Sequence, residues 1–348
     1  MISNLLRGFA QSNLEIDLLS IRSDYTDHLG KLPQNVNRLH FRARHNLSIL
    51  PELISYLRAR RPRALLAAKD RAIFVSALAK KLSGVPVRVV GRLGTNVSAG
   101  IRQKNPAARA VRRLMMQFSY ETIDAAICVS KGVAYDLASI TGLPVHDFFV
   151  VKNPVITPEL QLMAGEAVDH PWIQDKTMPL IIGMGRLTLQ KDFETLIRAF
   201  DMVRYSHPSR LIILGEGKKR RELQALIHQS GLEDVVDLPG FQPNPYPYLK
   251  ASDLFVLSSQ WEGSPNALTE AMALGIPVVS TDCPSGPREI LDEGRLGPLV
   301  PMKEPEAMAE AILKVLKDPP PKERLMKAVE GYSLENSGRA YLKLLIGD

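Results

Sequence analysis

Asp253-Leu-Phe-Val-Leu-Ser258, followed by Glu262-Gly-Ser-Pro-Asn-Ala-Leu-Thr-Glu270 and Ala-Met-Ala-Leu-Gly275-Ile-Pro-Val-Val-Ser280, reads as strand, loop, helix and strand in succession. The apolar run Asp253 to Ser258 has the character of a buried parallel strand. Ser264 is placed to cap a helix whose first residue is Pro265, where proline gives up a donor that would be unpaired anyway. Gly275 stands as its C-terminal cap, and Pro277 to Ser280 begins the next strand. Glu262 therefore lies in the loop leaving the first strand and Glu270 on the helix. Between them, the N–H groups near 264 to 267 and the positive end of the helix dipole point to where an anion sits.

Working outward, short β-rich runs alternate with helical patterns along the whole chain, which predicts parallel sheets with helices on both faces. In the first half the strands are expected at Glu15 to Ile21, Asn37 to Phe41, Ala64 to Ala68, Val87 to Leu93, Ala125 to Ser130 and Phe148 to Lys152. In the second they are expected at Leu180 to Met184, Leu211 to Leu214, Val235 to Leu238, Asp253 to Ser258, Pro277 to Ser280 and Pro298 to Val300. Phe193, Leu196, Ile197, Phe200 and Val203 form one helical stripe, which is core. Further helices are expected at Lys218 to Ser230 and Pro305 to Lys317, with Gly231 capping the former. Prolines and polar residues from Asn153 to Thr177 mark a boundary. The expectation is two doubly wound domains facing a cleft: residues 1–155, a linker at 156–178, a second domain at 179–325, and a C-terminal helix at 326–348 carrying Leu334, Tyr341 and Leu344.

At 348 residues the chain exceeds what one hydrophobic core organises. No run of about 18 uncharged apolar residues occurs, and Arg7, Glu15 and Asp17 interrupt any signal-peptide core. A cytoplasmic protein is expected. Cys128 and Cys283 lack metal-ligand spacing and read as free thiols. Residues 1–175 hold 23 Lys and Arg against 14 Asp and Glu, and residues 176–348 hold 21 against 23, so the basic excess is confined to the first half. It concentrates in Arg58 to Arg63 and in Arg102 to Arg113, where Lys104, Arg109, Arg112 and Arg113 adjoin Leu114, Met115, Met116 and Phe118. Such a segment suits an anionic membrane surface, here the inner face of the plasma membrane, or an acidic acceptor, and equally suits a solvated helix face. No nucleic-acid module accompanies the charge.

Further segments extend the pattern: Cys-Val-Ser-Lys-Gly-Val-Ala from 128, Lys-Asn-Pro-Val from 152, Gly-Met-Gly-Arg-Leu from 183 with Gln-Lys-Asp at 190, Leu-Gly-Glu-Gly from 214, Leu-Pro-Gly-Phe from 238 and Asp-Cys-Pro-Ser-Gly-Pro-Arg-Glu-Ile-Leu from 282. In this order and spacing, with the two glutamates eight apart, the chain resembles the retaining, nucleotide-sugar-dependent glycosyltransferases of the GT-B fold, the family 4 known as "group 1". Coverage is dense from about residue 120 onward. The resemblance implies an α/β fold of two Rossmann-like domains, with the tail helix crossing back to the N-terminal one. It also implies transfer of a hexose or N-acetylhexosamine from a nucleotide donor with retention of configuration. The Asp-Cys-Pro-Ser-Gly-Pro-Arg-Glu segment resembles members acting in bacterial surface-polysaccharide assembly, hence UDP donors and glycan or lipid-linked acceptors. Family members open with a strand and a glycine-rich loop, whereas this sequence starts at a helix, Ile2 to Gln11. Either the start lies upstream of Met1 or part of the site has been lost.

Residue by residue, the resemblance assigns Arg186 and Lys191 to the diphosphate, whose growing charge needs fixed cations as it departs. Arg binds two phosphate oxygens as a fork, and Lys acts as a point charge. Cations near a helix start are unfavourable without an anion, which favours this role over mere exposed charge. Glu262 falls near the donor sugar, in electrostatic support of an oxocarbenium-like transition state rather than as a nucleophile. Glu270 matches the acceptor of ribose hydroxyl hydrogen bonds. Gly185, Gly263, Ser264, Pro265, Asn266 and Ala267 line the donor. Glu216 borders the nucleotide in the family and equally reads as a turn residue; Phe241 borders the base. On the acceptor side, Arg92, Thr95 and Asn96 stand at a strand end where relatives carry a polar contact. His146 and His170 fall in loops as incidental residues. No Asp-x-Asp or His/Cys/carboxylate cluster occurs, and the resemblance implies neither metal nor cofactor. The competing readings are another GT-B activity, an epimerase or phosphorylase, and a donor-binding pseudoenzyme that partners another glycosyltransferase.

Overall fold

The computed structural model describes residues 1–10, 12–20, 32–42, 48–101 and 105–347. Gln11, Ile21, Arg102 and Lys104, which figure in the expected first helix, first strand and basic stretch, lie outside the described residues. The chain divides into two compact units, Met1–Val155 with Tyr332–Asp348, and Ile156–Gly331.

In the first unit, β1 (Ile16–Ser20) pairs in parallel with β2 (Val36–His40). A second parallel sheet runs in the order β3 (Ala64–Ala68), β4 (Arg88–Leu93), β5 (Ala125–Cys128) and β6 (Phe148–Val150). The described strands of this unit thus form two sheets rather than one. Alternate residues of β4 and β5 serve opposite faces, as the twofold period of a strand requires. Val89, Leu93, Ala126 and Cys128 pack with Ile73, Val133 and Leu137 of the helices Asp70–Ser83 and Lys131–Thr141. Val90, Ala125 and Ile127 pack with Leu5, Phe9, Tyr341 and Leu345. Those last four come from the helices Ile2–Phe9 and Leu334–Ile346, which approach closely at two glycines. A Cβ on Gly338 would sit 3.3 Å from the Gly8 backbone, so a larger residue there pries the pair apart. The tail helix thereby belongs to the first unit.

The second unit is a six-stranded parallel sheet of β7 (Leu180–Met184), β8 (Arg210–Leu214), β9 (Val236–Gly240), β10 (Leu254–Leu257), β11 (Val278–Thr281) and β12 (Leu299–Val300). Their order is β12-β11-β10-β7-β8-β9. The stripe Phe193, Leu196, Ile197, Phe200 and Val203 is buried along the helix Phe193–Ser206 and packs on Ile181, Leu211 and Val256, joined by Met308 and Ile312 from Pro305–Lys317. Truncating such a leucine to alanine costs about 2–5 kcal/mol. Both cysteines are buried, and burial pushes their thiols up to about 12.

Four expectations change. The helix expected to begin at Pro265 under a Ser264 cap begins at Asn266, because Pro265 is extended (ψ 105°) and occupies the cap position with no side-chain bond. The stretch 156–178, expected as a linker, is part of the second unit. His170, expected as incidental, is buried there; its Nδ1 accepts from Trp172 N, its Nε2 lies 3.1 Å from Asp237 Oδ2 on β9, and its ring meets Trp172 and Tyr248 edge-on. The second unit also extends past 325 to Gly331, since the helix Lys322–Val329 packs on Asn266–Ala273.

Candidate active site

In the second unit β7 and β10 are neighbours in the sheet, and the chain winds outward from them in opposite directions. Loops leaving adjacent strands at such a reversal open a crevice beyond their carboxyl ends. The loop after β7 carries Gly185, Arg186 and Lys191, and the loop after β10 carries Ser258 to Pro265. Four hydrogen bonds stitch the two together. Ser258 Oγ donates to Lys191 O (2.7 Å), Gln260 N to Gln190 O (2.8 Å), Gln190 Nε2 to Trp261 O (2.8 Å) and Lys191 Nζ to Glu262 Oε1 (2.6 Å).

Lys191 and Glu262 form a largely buried ion pair, their side chains 16% and 9% exposed. Burying two charges costs several kcal/mol per ion, so the pair is a poor device for stability alone. Ser259 Oγ donates to the same Glu262 oxygen at 2.7 Å, and Glu262 N donates to Pro284 O. The Lys191 stem crosses Gly185, where a Cβ would meet its carbons at 2.9 Å. Arg186 is exposed and has no ionic partner among the described residues. One cation is therefore committed to a carboxylate and the other is open.

The loop after β8 presses against the loop after β7. Gly215 adopts φ +137°, and a Cβ there would fall 1.9 Å from Gly185 O, which only glycine avoids. Glu216 between the glycines is gripped by Arg220 (2.6–3.0 Å), whose guanidinium lowers the carboxyl from its usual range. Arg220 also donates to Leu238 O, tying the turn to β9. Just beyond β9, Phe241 is 71% exposed, an uncovered aromatic face. Gly263, Ser264 and Pro265 are buried beneath the loop after β11, and Asn266 and Ala267 open the helix. One turn on, burial pushes the Glu270 carboxyl up to about 7, with Tyr246 Oη at a long 3.4 Å. Burial likewise raises the Tyr246 phenol.

The family model for glycosyl transferases group 1 matches residues 168–331, and that for a glycosyl transferase 4-like domain matches residues 1–154. This chain belongs to the group 1 glycosyltransferases. It is 44% identical to an uncharacterized glycosyltransferase of Methanocaldococcus jannaschii over 41% of this chain and 36% of that protein. It is 31% identical to the Campylobacter jejuni N-acetylgalactosamine-N,N'-diacetylbacillosaminyl-diphospho-undecaprenol 4-alpha-N-acetylgalactosaminyltransferase, over 70% of this chain and 64% of the other. The matches thus span about a third to just under two thirds of these relatives' own length. Anabaena HepE, solved in complex with UDP, superposes with a TM-score of 0.71 at 16% identity, covering 99% of this chain and 92% of that one. The fold is that of the GT-B glycosyltransferases.

For a group 1 glycosyltransferase the acceptor-side residues expected from the sequence differ from the donor-side ones. Arg92 is buried, donating from Nε to Tyr341 Oη (2.9 Å) and from Nη2 to Asn153 Oδ1 (2.8 Å). Its described bonds anchor β4 to the tail helix, so it reads as structural rather than as an acceptor contact. Asn96 is buried and takes Ala99 N at 3.1 Å, leaving Thr95 as the exposed member of the three. Sequence reading missed Ser259, Gln190 as a latch, Arg220 and Tyr246. Gln190 had a signal in the Gln-Lys-Asp segment, and Ser259 had one as a second serine where the apolar strand ends.

Proposed function

We propose that this protein transfers a hexose or N-acetylhexosamine from a UDP-sugar to a glycan or lipid-linked acceptor, with retention of configuration and without a metal ion. The observation that carries the reading is the convergence of Arg186, Lys191 and Glu262 at the β7/β10 reversal, with Glu270 and Phe241 on the flanking elements. Arg186 is free to fork onto the diphosphate. Lys191, with three N–H donors, holds Glu262 and can still offer a proton to a phosphate oxygen as charge builds on the leaving group. Glu262, held by two donors, is a fixed negative charge for an oxocarbenium-like transition state rather than a mobile nucleophile. Glu270 takes the ribose hydroxyls and Phe241 lies against the base. The UDP in the HepE complex and the undecaprenol-linked acceptor in the Campylobacter relative's name support the donor and acceptor classes. The test is UDP release from a panel of UDP-hexoses and UDP-N-acetylhexosamines with excess chelator, followed by the anomeric configuration of the transferred sugar. No turnover of any donor, loss with chelator, or an inverted product overturns the corresponding part.

The reading includes peripheral contact with an anionic membrane on the cytoplasmic side, where lipid-linked acceptors reside. The helix Pro106–Thr122 supports it: Arg109 and Arg113 stand exposed beside Val111 (57%) and Leu114 (66%). Arg112, expected in the same cluster, is instead paired with Asp70 at 2.6 Å. No described helix is long and apolar enough to cross a membrane. Replacing Arg109 and Arg113 by Gln should abolish sedimentation with anionic liposomes at moderate salt, each cation contributing about 1 kcal/mol; unchanged sedimentation overturns this part.

A further inference from the structure

We propose that Ser259 is a positioning residue that fixes the Glu262 carboxylate for sugar transfer. The inference rests on the role given to Glu262 above and extends it to a side chain that touches no substrate. Ser259 stands two residues past the end of β10 and is fully buried. Its hydroxyl has one proton, and that proton goes to Glu262 Oε1 at 2.7 Å, the oxygen that also receives Lys191 Nζ at 2.6 Å. Behind it, Ser259 O accepts from Thr281 Oγ1 at 2.6 Å, and Thr281, at the end of β11, is itself fully buried. The serine is therefore anchored to the sheet rather than to a loop.

The two donors on Oε1 differ in what they can fix. An ammonium at the end of a flexible four-carbon stem is a point charge that attracts the carboxylate without setting its orientation. A short hydroxyl, on a residue whose carbonyl is held by Thr281 of β11, sets a direction, and a hydroxyl donating to a carboxylate is among the stronger hydrogen bonds. When a diphosphate approaches, Lys191 shares its charge between phosphate and Glu262, and its hold on the carboxylate weakens. Ser259 faces no such competition. It keeps Glu262 in place at the stage when the leaving group draws on Lys191, and misplacement of a reacting group by about 1 Å costs on the order of a hundredfold. The alternative is a buried serine that merely satisfies a neighbouring polar atom.

Ser259→Ala removes the hydroxyl and little volume. Assayed as UDP release from whichever of UDP-glucose, UDP-galactose, UDP-N-acetylglucosamine and UDP-N-acetylgalactosamine the wild type turns over fastest, it should lower kcat about ten- to a hundredfold. KM for that donor and calorimetric affinity for UDP should stay within about twofold, because no phosphate or ribose contact is lost. The deciding measurement is a double-mutant cycle with Glu262→Gln. If Ser259 acts through Glu262, adding Ser259→Ala to Glu262→Gln changes kcat no further. An equal fractional loss in both backgrounds shows a structural role and overturns the proposal. Should Glu262→Gln alone leave kcat unchanged, the role given to Glu262 fails first, and the two failures are told apart by which single variant is silent.

Discussion

Two strand ends, one in each unit, carry cations at equivalent points of a parallel sheet, and they use them in opposite ways. After β7 in the second unit, Arg186 is exposed and Lys191 is held by a carboxylate that a neighbouring loop delivers. Near the end of β4 in the first unit, Arg92 is 6% exposed and bonded to a phenol and an amide, with no carboxylate partner among the described residues. Residue type and place in the fold are alike; burial and partners decide the job. The first arrangement keeps charge available for an anion that comes and goes, and the second spends it on joining a strand to the tail helix. Burial raises the Tyr341 phenol while Arg92 beside it acts to lower it, so the pair is a fixed neutral-to-cation contact.

The largest effect that could break this contrast is on Lys191. Lys191→Ala leaves the Glu262 carboxylate buried with Ser259 as its side-chain donor, so turnover should fall at least about a hundredfold, and stability by about 3 kcal/mol. Arg186→Ala, by contrast, should leave the thermal midpoint unchanged and weaken UDP about tenfold more than uridine, because what is lost is a charge-assisted bond to phosphate. Equal losses for UDP and uridine in calorimetry would move Arg186 off the diphosphate, and the contrast between open and buried cations would lose its functional half.

The second test falls on the other strand end. Arg92→Ala should cost about 2–4 kcal/mol in denaturant unfolding, from two lost bonds to a charged donor, while UDP affinity stays unchanged. A variant with full stability but altered turnover would restore Arg92 to the acceptor side and make the two strand ends alike.

The twelve strands read from short β-rich runs occur, with ends shifted by a residue or two. Asp253 drops out of β10 because its carboxylate accepts from Leu180 N at 2.7 Å and Lys176 at 2.8–2.9 Å, closing the strand's start. Arg186, Lys191, Glu262 and Glu270 were legible as residues because each sits in an ordered motif. That Lys191 and Glu262 bond to each other was not, since 71 residues separate them and only the β7/β10 adjacency brings them together. Arg92 was read by its strand-end position, and what reassigns it is a tyrosine 249 residues away. Local patterns predict elements and candidate groups; which charges remain open depends on contacts that no local pattern holds.

The smallest effect sharpens the donor side of the comparison through pH. Burial raises the Glu270 carboxyl from 4.5 to about 7, so between those values the folded protein binds more protons than the unfolded chain. Stability should then fall as pH rises through that window and level off above it, and Glu270→Gln should remove that part of the slope. Nucleotide binding runs the other way. Ribose hydroxyls donate to the ionised carboxylate, and a charge-assisted bond is about twice as strong as a neutral one. The preference for UDP over 2′,3′-dideoxyuridine diphosphate should therefore grow roughly severalfold as pH passes through about 7, because both ligands carry the same phosphates and differ only in the hydroxyls. Glu270→Gln should give a smaller preference with no pH dependence across the range. A preference that is flat with pH in the wild type would mean the ribose is held elsewhere, and Glu270 would join Arg92 as a group serving the fold.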